Sequence, residues 1–260
     1  GDLFDYETFF SDTIATGVNW VNITNENVYN LYKNGNSVEP SQTEIDNFKK
    51  LHDNGIKILY RFTNAPTYTE ISADRDAAAD KFIAALTLRV EALKDYVDVW
   101  GLFGEINTQD NSRAADYAYV IEKVAAEIRK IDTDAKINFA TALFDYGWTK
   151  NILDAGLDDC VDIIGVHIYK DIWPTLSYPE LAGTIIKEGK EVTDSEHTTY
   201  EEQVKAYQSL LSAYPRDIQV MITEVSEPEG LLANAVGEGD VLAKWLTRQY
   251  ATDKLLGIDG

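Results

Sequence analysis

The sequence predicts an α/β protein built on a parallel sheet wrapped in helices. Three observations predict it. The run over residues 97–107 starts apolar and β-prone, carries no charge from 99 to 104 and reads as a strand buried on both faces, with residues 56–62 and 161–169 reading as further strands. The stretches between such runs repeat their apolar residues at helical spacing. Helix and strand then alternate six times along the chain, the order of a parallel sheet rather than of consecutive hairpins.

In chain order, residues 6–16 read as a helix with Phe9, Phe10 and Ile14 as its apolar stripe and Gly17 as its stop. Residues 18–23 follow as a short strand. Ser41-Gln42-Thr43-Glu44 has the capping-box pattern, after which Ile45, Phe48 and Leu51 repeat at helical spacing up to Gly55. Residues 56–62 form a strong strand closed by the loop Thr63-Asn64-Ala65-Pro66, and residues 76–95 a long amphipathic helix. The run Val97-Asp98-Val99-Trp100-Gly101-Leu102-Phe103-Gly104-Glu105-Ile106-Asn107 is a buried strand that ends on a single carboxylate. Residues 113–131 are helical, residues 137–143 a strand ending at Phe144-Asp145-Tyr146-Gly147-Trp148, and residues 149–155 a short helix. The strand 161–169 leads into a polar insertion over 171–197. Thr199-Tyr200-Glu201-Glu202 is a second capping box, opening a helix that runs to residue 214. Residues 218–225 form a strand that again delivers a lone carboxylate, Glu224, and residues 240–255 the last helix.

A closed barrel and an open doubly wound sheet both satisfy this order. No Gly-x-Gly-x-x-Gly follows the first strand and no Gly-x-x-x-x-Gly-Lys-Ser/Thr occurs, so the nucleotide-binding open sheets lack their signature. At 260 residues the chain has the length of a single α/β barrel, and without repeats or a linker, residues 1–260 read as one domain. Acidic residues outnumber basic ones 44 to 23, for a net charge of −21. That balance argues against nucleic acid or an anionic membrane as partner and fits a neutral substrate or a salty habitat. No run reaches the roughly 18 apolar residues of a membrane span. Cys160 is the only cysteine and reads as a small core residue.

Side chains alternate along a strand, so residues sharing a face can be read from parity. Glu105 shares a face with Phe103 and Gly101, Glu224 with Ile222 and Val220, and His167 with Tyr169. Parallel strands end on one side, which brings Glu105, His167, Tyr169 and Glu224 to one mouth as an acid-base site. Glycoside hydrolysis uses two glutamates in this way, one protonating the leaving oxygen while the other attacks the anomeric carbon or activates water. Their environments must differ, and a tyrosine or histidine beside the nucleophile can hold it ionised and oriented. A metal hydrolase is not expected: the three histidines, His52, His167 and His197, show no paired ligand spacing. No Gly-x-Ser-x-Gly elbow marks a serine hydrolase.

These residues resemble the clan A glycoside hydrolases, the (β/α)8 group that includes many cellulases, mannanases and xylosidases. Residues Val99 to Asn107 resemble its fourth-strand segment, Val161 to Tyr169 its sixth-strand His-x-Tyr segment, and Ile218 to Ser226 its seventh-strand Thr-Glu-Val-Gly segment. The resemblance implies a TIM (β/α)8 barrel and a retaining glycosidase acting on a β-linked oligo- or polysaccharide. Glu105 would be its acid/base and Glu224 its nucleophile, with His167 and Tyr169 orienting the nucleophile and no cofactor or metal. Retention implies carboxyl groups about 5–5.5 Å apart. The alternative is a non-catalytic carbohydrate-binding domain derived from such an enzyme.

Three departures accompany the resemblance. The asparagine expected before the acid/base is Gly104, so Asn107 becomes a candidate for its sugar contact. The arginine usual at the end of the second strand is absent, with Asn22 in that region. The matching also leaves the first and eighth strands without counterparts, so the chain is expected to be a fragment of a longer protein, with residues 1–5 and 256–260 not forming paired barrel strands. Trp148 and Trp173 are the candidates for sugar stacking, and the expected location is extracellular or periplasmic.

Overall fold

Alternation of helix and parallel strand holds through the computed structural model, which describes residues 6–25, 27–63, 65–108, 113–169, 184–187, 190–193, 200–226, 250–251 and 253–258. Trp173, Thr199 and most of the expected helix 240–255 lie outside these residues, as do residues 1–5 and 259–260. The backbone packs as two compact units, Gly1–Gly104 with Asp116–Asn138, and Glu105–Ala115 with Phe139–Gly260. Among the described residues no helix is long and apolar enough to cross a membrane.

The first unit runs through α1 (Tyr6–Thr16), β1 (Trp20–Asn25), α2 (Val28–Lys33), α3 (Gln42–Asp53), β2 (Lys57–Phe62), α4 (Tyr68–Ala73), α5 (Arg75–Leu93) and β3 (Val99–Leu102). It also holds most of α6 (Ala114–Ile131) and the start of β4 (Lys136–Ala142). Its strands pair in parallel in the order β1-β2-β3-β4, with Val21 opposite Ile58, Tyr60 opposite Trp100 and Trp100 opposite Ile137. Every residue of β3 is buried, which is the continuous burial its uncharged run predicts, and the last five residues of β2 are buried too, Arg61 among them. Gly101 is required by the close approach of β2, because a Cβ there would stand 2.9 Å from Arg61 Cβ and 3.0 Å from its Cα.

Two helix starts show how local signals were redirected. Ser41 caps α3 by accepting from the Glu44 amide at 3.2 Å. The Glu44 carboxylate instead pairs with Arg89 of α5 and accepts from the Tyr60 hydroxyl at 3.2 Å. Arg89 is buried, so this pairing and its donation to Tyr60 at 2.7 Å supply what water would otherwise give the charge. A full capping box, Thr67 with Glu70, starts α4, a six-residue helix just after Pro66. Glu70 also accepts from Lys33 Nζ at 2.8 Å. Partial burial pushes its carboxyl upward, but the bonds from Lys33 and Thr67 outweigh that and hold it at about 2.

The second unit continues β4 and adds α7 (Tyr146–Asp154), β5 (Ile163–Tyr169), the strands β6 (Thr184–Lys187) and β7 (Lys190–Thr193), α8 (Tyr200–Leu211) and β8 (Gln219–Ser226). The order here is β4-β5-β8, with β5 and β8 parallel. The polar insertion contributes an element the sequence did not announce, an antiparallel pair of β6 with β7. Between β5 and β8 the register shifts at Val166/His167. Ile222 lies opposite Val166 and Glu224 opposite His167, so Thr223 is the extra residue of a bulge. Gly165 makes room for it: a Cβ at Gly165 would lie 2.5 Å from Thr223 Oγ1 and 3.1 Å from Ala140 Cβ.

Gly165→Ala should therefore cost about 1–3 kcal/mol of stability, as overpacking of a filled core does. Part of that cost should be recovered in the Gly165→Ala, Thr223→Ala double variant, as read from urea unfolding midpoints. Glu70 has a folded-state value of about 2 against an ordinary value of 4.5. Its contribution is fully present above the ordinary value and is lost as pH falls from there toward 2. Unfolding curves of Glu70→Gln and of the unchanged chain should accordingly converge across that acidic window.

Candidate active site

Glu105 does not lie on a strand. Strand β3 stops at Leu102, and both Phe103 and Glu105 take positive φ, 65° and 52°. The parity that ties Glu105 to Phe103 and Gly101 in the sequence therefore does not carry past the strand end. Left-handed backbone is uncommon for residues with a Cβ and collects where geometry serves a function. The turn is held by the Glu105 amide, which donates to the Ala140 carbonyl at 2.9 Å, and by a short 3-10 turn, Ile106–Thr108. Thr108 closes that turn, its hydroxyl donating to the Glu105 carbonyl at 2.7 Å.

His167 and Glu224 meet this carboxylate. His167 Nδ1 stands 2.9 Å from Glu105 Oε1 and 3.6 Å from Glu224 Oε2. The imidazole side chain is only 2% exposed, while the two carboxylates are 37% and 32% exposed. One oxygen of each carboxylate and the imidazole nitrogen all lie within 4.8 Å of one another. The bulge at Thr223 gives Glu224 this position, since it sets Glu224 opposite His167 in the β5–β8 register. The same three groups could ligate a cation, but ligands sharing a tetrahedral zinc stand roughly 3.4 Å apart. The 2.9 Å separation of Nδ1 and Oε1 is instead the length of a direct hydrogen bond.

Two sequence candidates take other roles. Asn107, expected to touch the sugar, is 1% exposed. Its amide donates to the Ala142 carbonyl at 3.0 Å and to Asp145 Oδ2 at 3.2 Å, and accepts from the Ala142 amide at 2.8 Å. A side chain so engaged has no edge left for a ligand. Trp148, expected to stack on a sugar, is likewise 1% exposed and packs edge-to-face on Phe139 at 5.9 Å. It lies in the first turn of α7, where its indole fills the core. Tyr169 ends β5, with its side chain outside the described residues, and Trp173 lies wholly outside them.

Asp145 is not among the sequence-predicted site residues, yet it anchors this region. It is fully buried, caps α7 by accepting from the Trp148 amide at 2.9 Å, and accepts from Asn107. The signal for it was present as an Asp directly before a helix. The sequence offered no sign that its second oxygen would meet Asn107, which lies 38 positions away.

No protein-family profile and no curated protein matches the sequence. Solved structures do. A hyperthermostable endo-1,4-β-D-mannanase from Thermotoga petrophila is similar at TM-score 0.63 and 11% identity, over 96% of this chain and 81% of that one. A family 1 β-glucosidase from Thermotoga maritima is similar at TM-score 0.61 and 14% identity, over 96% and 73%. A β-glucosidase designated 1317 is similar at TM-score 0.60 and 13% identity, over 98% and 75%. At such identities the likeness shows the fold. This chain has the parallel strand and helix arrangement of the TIM-barrel glycosidases, with six parallel strands among its described residues.

The reassignment of Trp148 has a measurable consequence. Trp148→Ala should lower stability by about 3–5 kcal/mol, the usual cost of emptying a buried aromatic site. The milder Trp148→Phe, which keeps most of the ring, should lose less, as read from urea unfolding midpoints.

Proposed function

We propose that this chain carries the site of a retaining glycosidase acting on a β-linked glycan, with Glu105 as general acid/base and Glu224 as nucleophile. The observation that carries the reading is the approach of the two carboxylates to within 4.8 Å around the buried His167. That spacing suits direct attack by one carboxylate. Inverting enzymes leave about 6.5–9.5 Å for a water between the two groups.

In the first step a Glu224 oxygen forms a bond to the anomeric carbon while the glycosidic bond breaks, and Glu105 gives its proton to the departing oxygen. The product is a glycosyl ester on Glu224. In the second step Glu105, now a carboxylate, takes a proton from water as the water oxygen attacks the anomeric carbon and Glu224 leaves. The double displacement requires the proton on Glu105 and the charge on Glu224 when substrate arrives. With the proton on Nδ1, His167 donates to Glu105 as that residue becomes ionised. The charge that appears in the first step thus meets a donor already in place.

The substrate is read as an oligo- or polysaccharide, which is compatible with a net charge of −21 that disfavours polyanionic partners. The reading includes an extracellular or periplasmic location. A second reading, a carbohydrate-binding domain without turnover, is favoured by Gly104, which has no side chain to contact the sugar at the position where the resemblance expects asparagine.

Hydrolysis of nitrophenyl β-glycosides by the full chain separates the two. Turnover with retention of the anomeric configuration by proton NMR is expected, falling to background in Glu224→Ala. In Glu105→Gln it should fall by about 10²–10⁴-fold on substrates with poor leaving groups. Glycan binding without turnover would instead support the binding domain, and an inverted product would overturn the double displacement.

A further inference from the structure

We infer that Asn107 is a positioning residue, a clamp that fixes the acid/base turn against the end of β4 and so sets the contact between Glu105 and His167. The inference rests on the proposed glycosidase reading for its catalytic consequence, and on geometry within the second unit for its substance.

The turn at Glu105 needs such a device. It lies beyond the last strand residue, Leu102, and Glu105 itself is left-handed. The pairing of β3 with β4 stops at Gly101 opposite Asn138, so the sheet ladder does not reach Glu105. The Asn107 side chain takes over where the ladder ends. Its Oδ1 accepts from the Ala142 amide at 2.8 Å and its Nδ2 donates to the Ala142 carbonyl at 3.0 Å. A peptide group of a neighbouring strand would offer one residue the same donor and acceptor pair. The second Nδ2 hydrogen goes to Asp145 Oδ2 at 3.2 Å, and Asp145 is itself anchored by the Trp148 amide at 2.9 Å. Both donors of the amide and its oxygen are therefore used. Asn107 and Asp145 are buried, so breaking one of these bonds leaves a polar group without water.

The segment that receives Asn107 also positions its neighbours. The Ala140 carbonyl accepts from the Glu105 amide at 2.9 Å, and the Leu143 amide donates to the His167 carbonyl at 2.9 Å. Leu143, like Glu105, is left-handed, at φ 55°, and Thr141 Oγ1 steadies it by donating to its carbonyl at 2.9 Å. Residues 140–145 thus hold both partners of the 2.9 Å bond between His167 and Glu105. Asparagine alone among the short side chains supplies an acceptor and two donors from one planar group. Aspartate would set a second carboxylate against Asp145 and the Ala142 carbonyl, and serine would keep only one donor and one acceptor.

The test compares two leaving groups in the full chain. Proton donation matters for a poor leaving group such as an alkyl or unsubstituted phenyl glycoside, and hardly for a dinitrophenyl glycoside, whose oxygen departs without it. Asn107→Ala should lower kcat on the poor leaving group by about 10–100-fold, the scale of a misplaced catalytic group. On the dinitrophenyl glycoside the glycosylation step should change by no more than about two-fold, with KM unaltered for both. The basic limb of the pH–rate profile should also move, and Asn107→Ser should recover part of the loss. Should Asn107→Ala fail to fold, Asn107→Ser alone makes the same comparison. Equal losses on both leaving groups, or an unmoved pH profile, would overturn the inference while leaving the glycosidase reading standing. If the unchanged chain hydrolyses neither substrate, the glycosidase reading fails instead. The clamp is then judged by the nitrogen NMR resonance of His167 Nδ1, which must shift in the Asn107 variant for the inference to survive.

Discussion

The 2.9 Å contact between His167 Nδ1 and Glu105 is the interaction on which the candidate site depends. A buried imidazole between two half-exposed carboxylates is an unstable grouping unless each group is held from behind. Like charges at this range repel, and a chain of net charge −21 adds background repulsion rather than relief. The holding is done by backbone. Ala140 accepts from Glu105, Leu143 donates to His167, and the bulge at Thr223 turns Glu224 toward the ring. Three left-handed residues, Phe103, Glu105 and Leu143, lie at or beside this junction. Such backbone persists only where the surroundings over-determine it.

Glycine and bulge geometry do for the strands what asparagine does for the turn. Gly101 lets β3 lie against Arg61 of β2, and Gly165 lets β5 accept the Thr223 bulge, because a methyl group at either position would overlap a neighbour. In the first unit the same economy appears in the Glu44, Arg89 and Tyr60 group, where a carboxylate that could have completed a helix cap instead neutralises a buried guanidinium. The local preference loses there because leaving Arg89 unpaired inside the core would cost more than an incomplete cap.

The strands and most helices were legible because burial on two faces leaves an uncharged run, as in residues 99–104, and amphipathic helices repeat with their own period. Short elements were not. The α2 and α4 helices are six residues each, too short to show a period, and α4 was visible only through its Thr67–Glu70 box. Asn107 and Trp148 show where sequence and packing part. A polar amide or an indole after a strand looks available, and only packing shows that both are enclosed.

By itself the sequence determined that the chain is a parallel α/β protein and that Glu105, His167 and Glu224 come at strand ends. Both follow from side-chain periodicity and from parallel strands finishing on one side. Tertiary structure alone decided how those three meet. A turn of left-handed residues, a one-residue bulge and a side-chain amide paired to a distant backbone depend on contacts between segments tens of residues apart. No local preference encodes such contacts. The run that ends at Asn107 therefore predicted a carboxylate at the rim, while the residue two places further on turned out to hold it there.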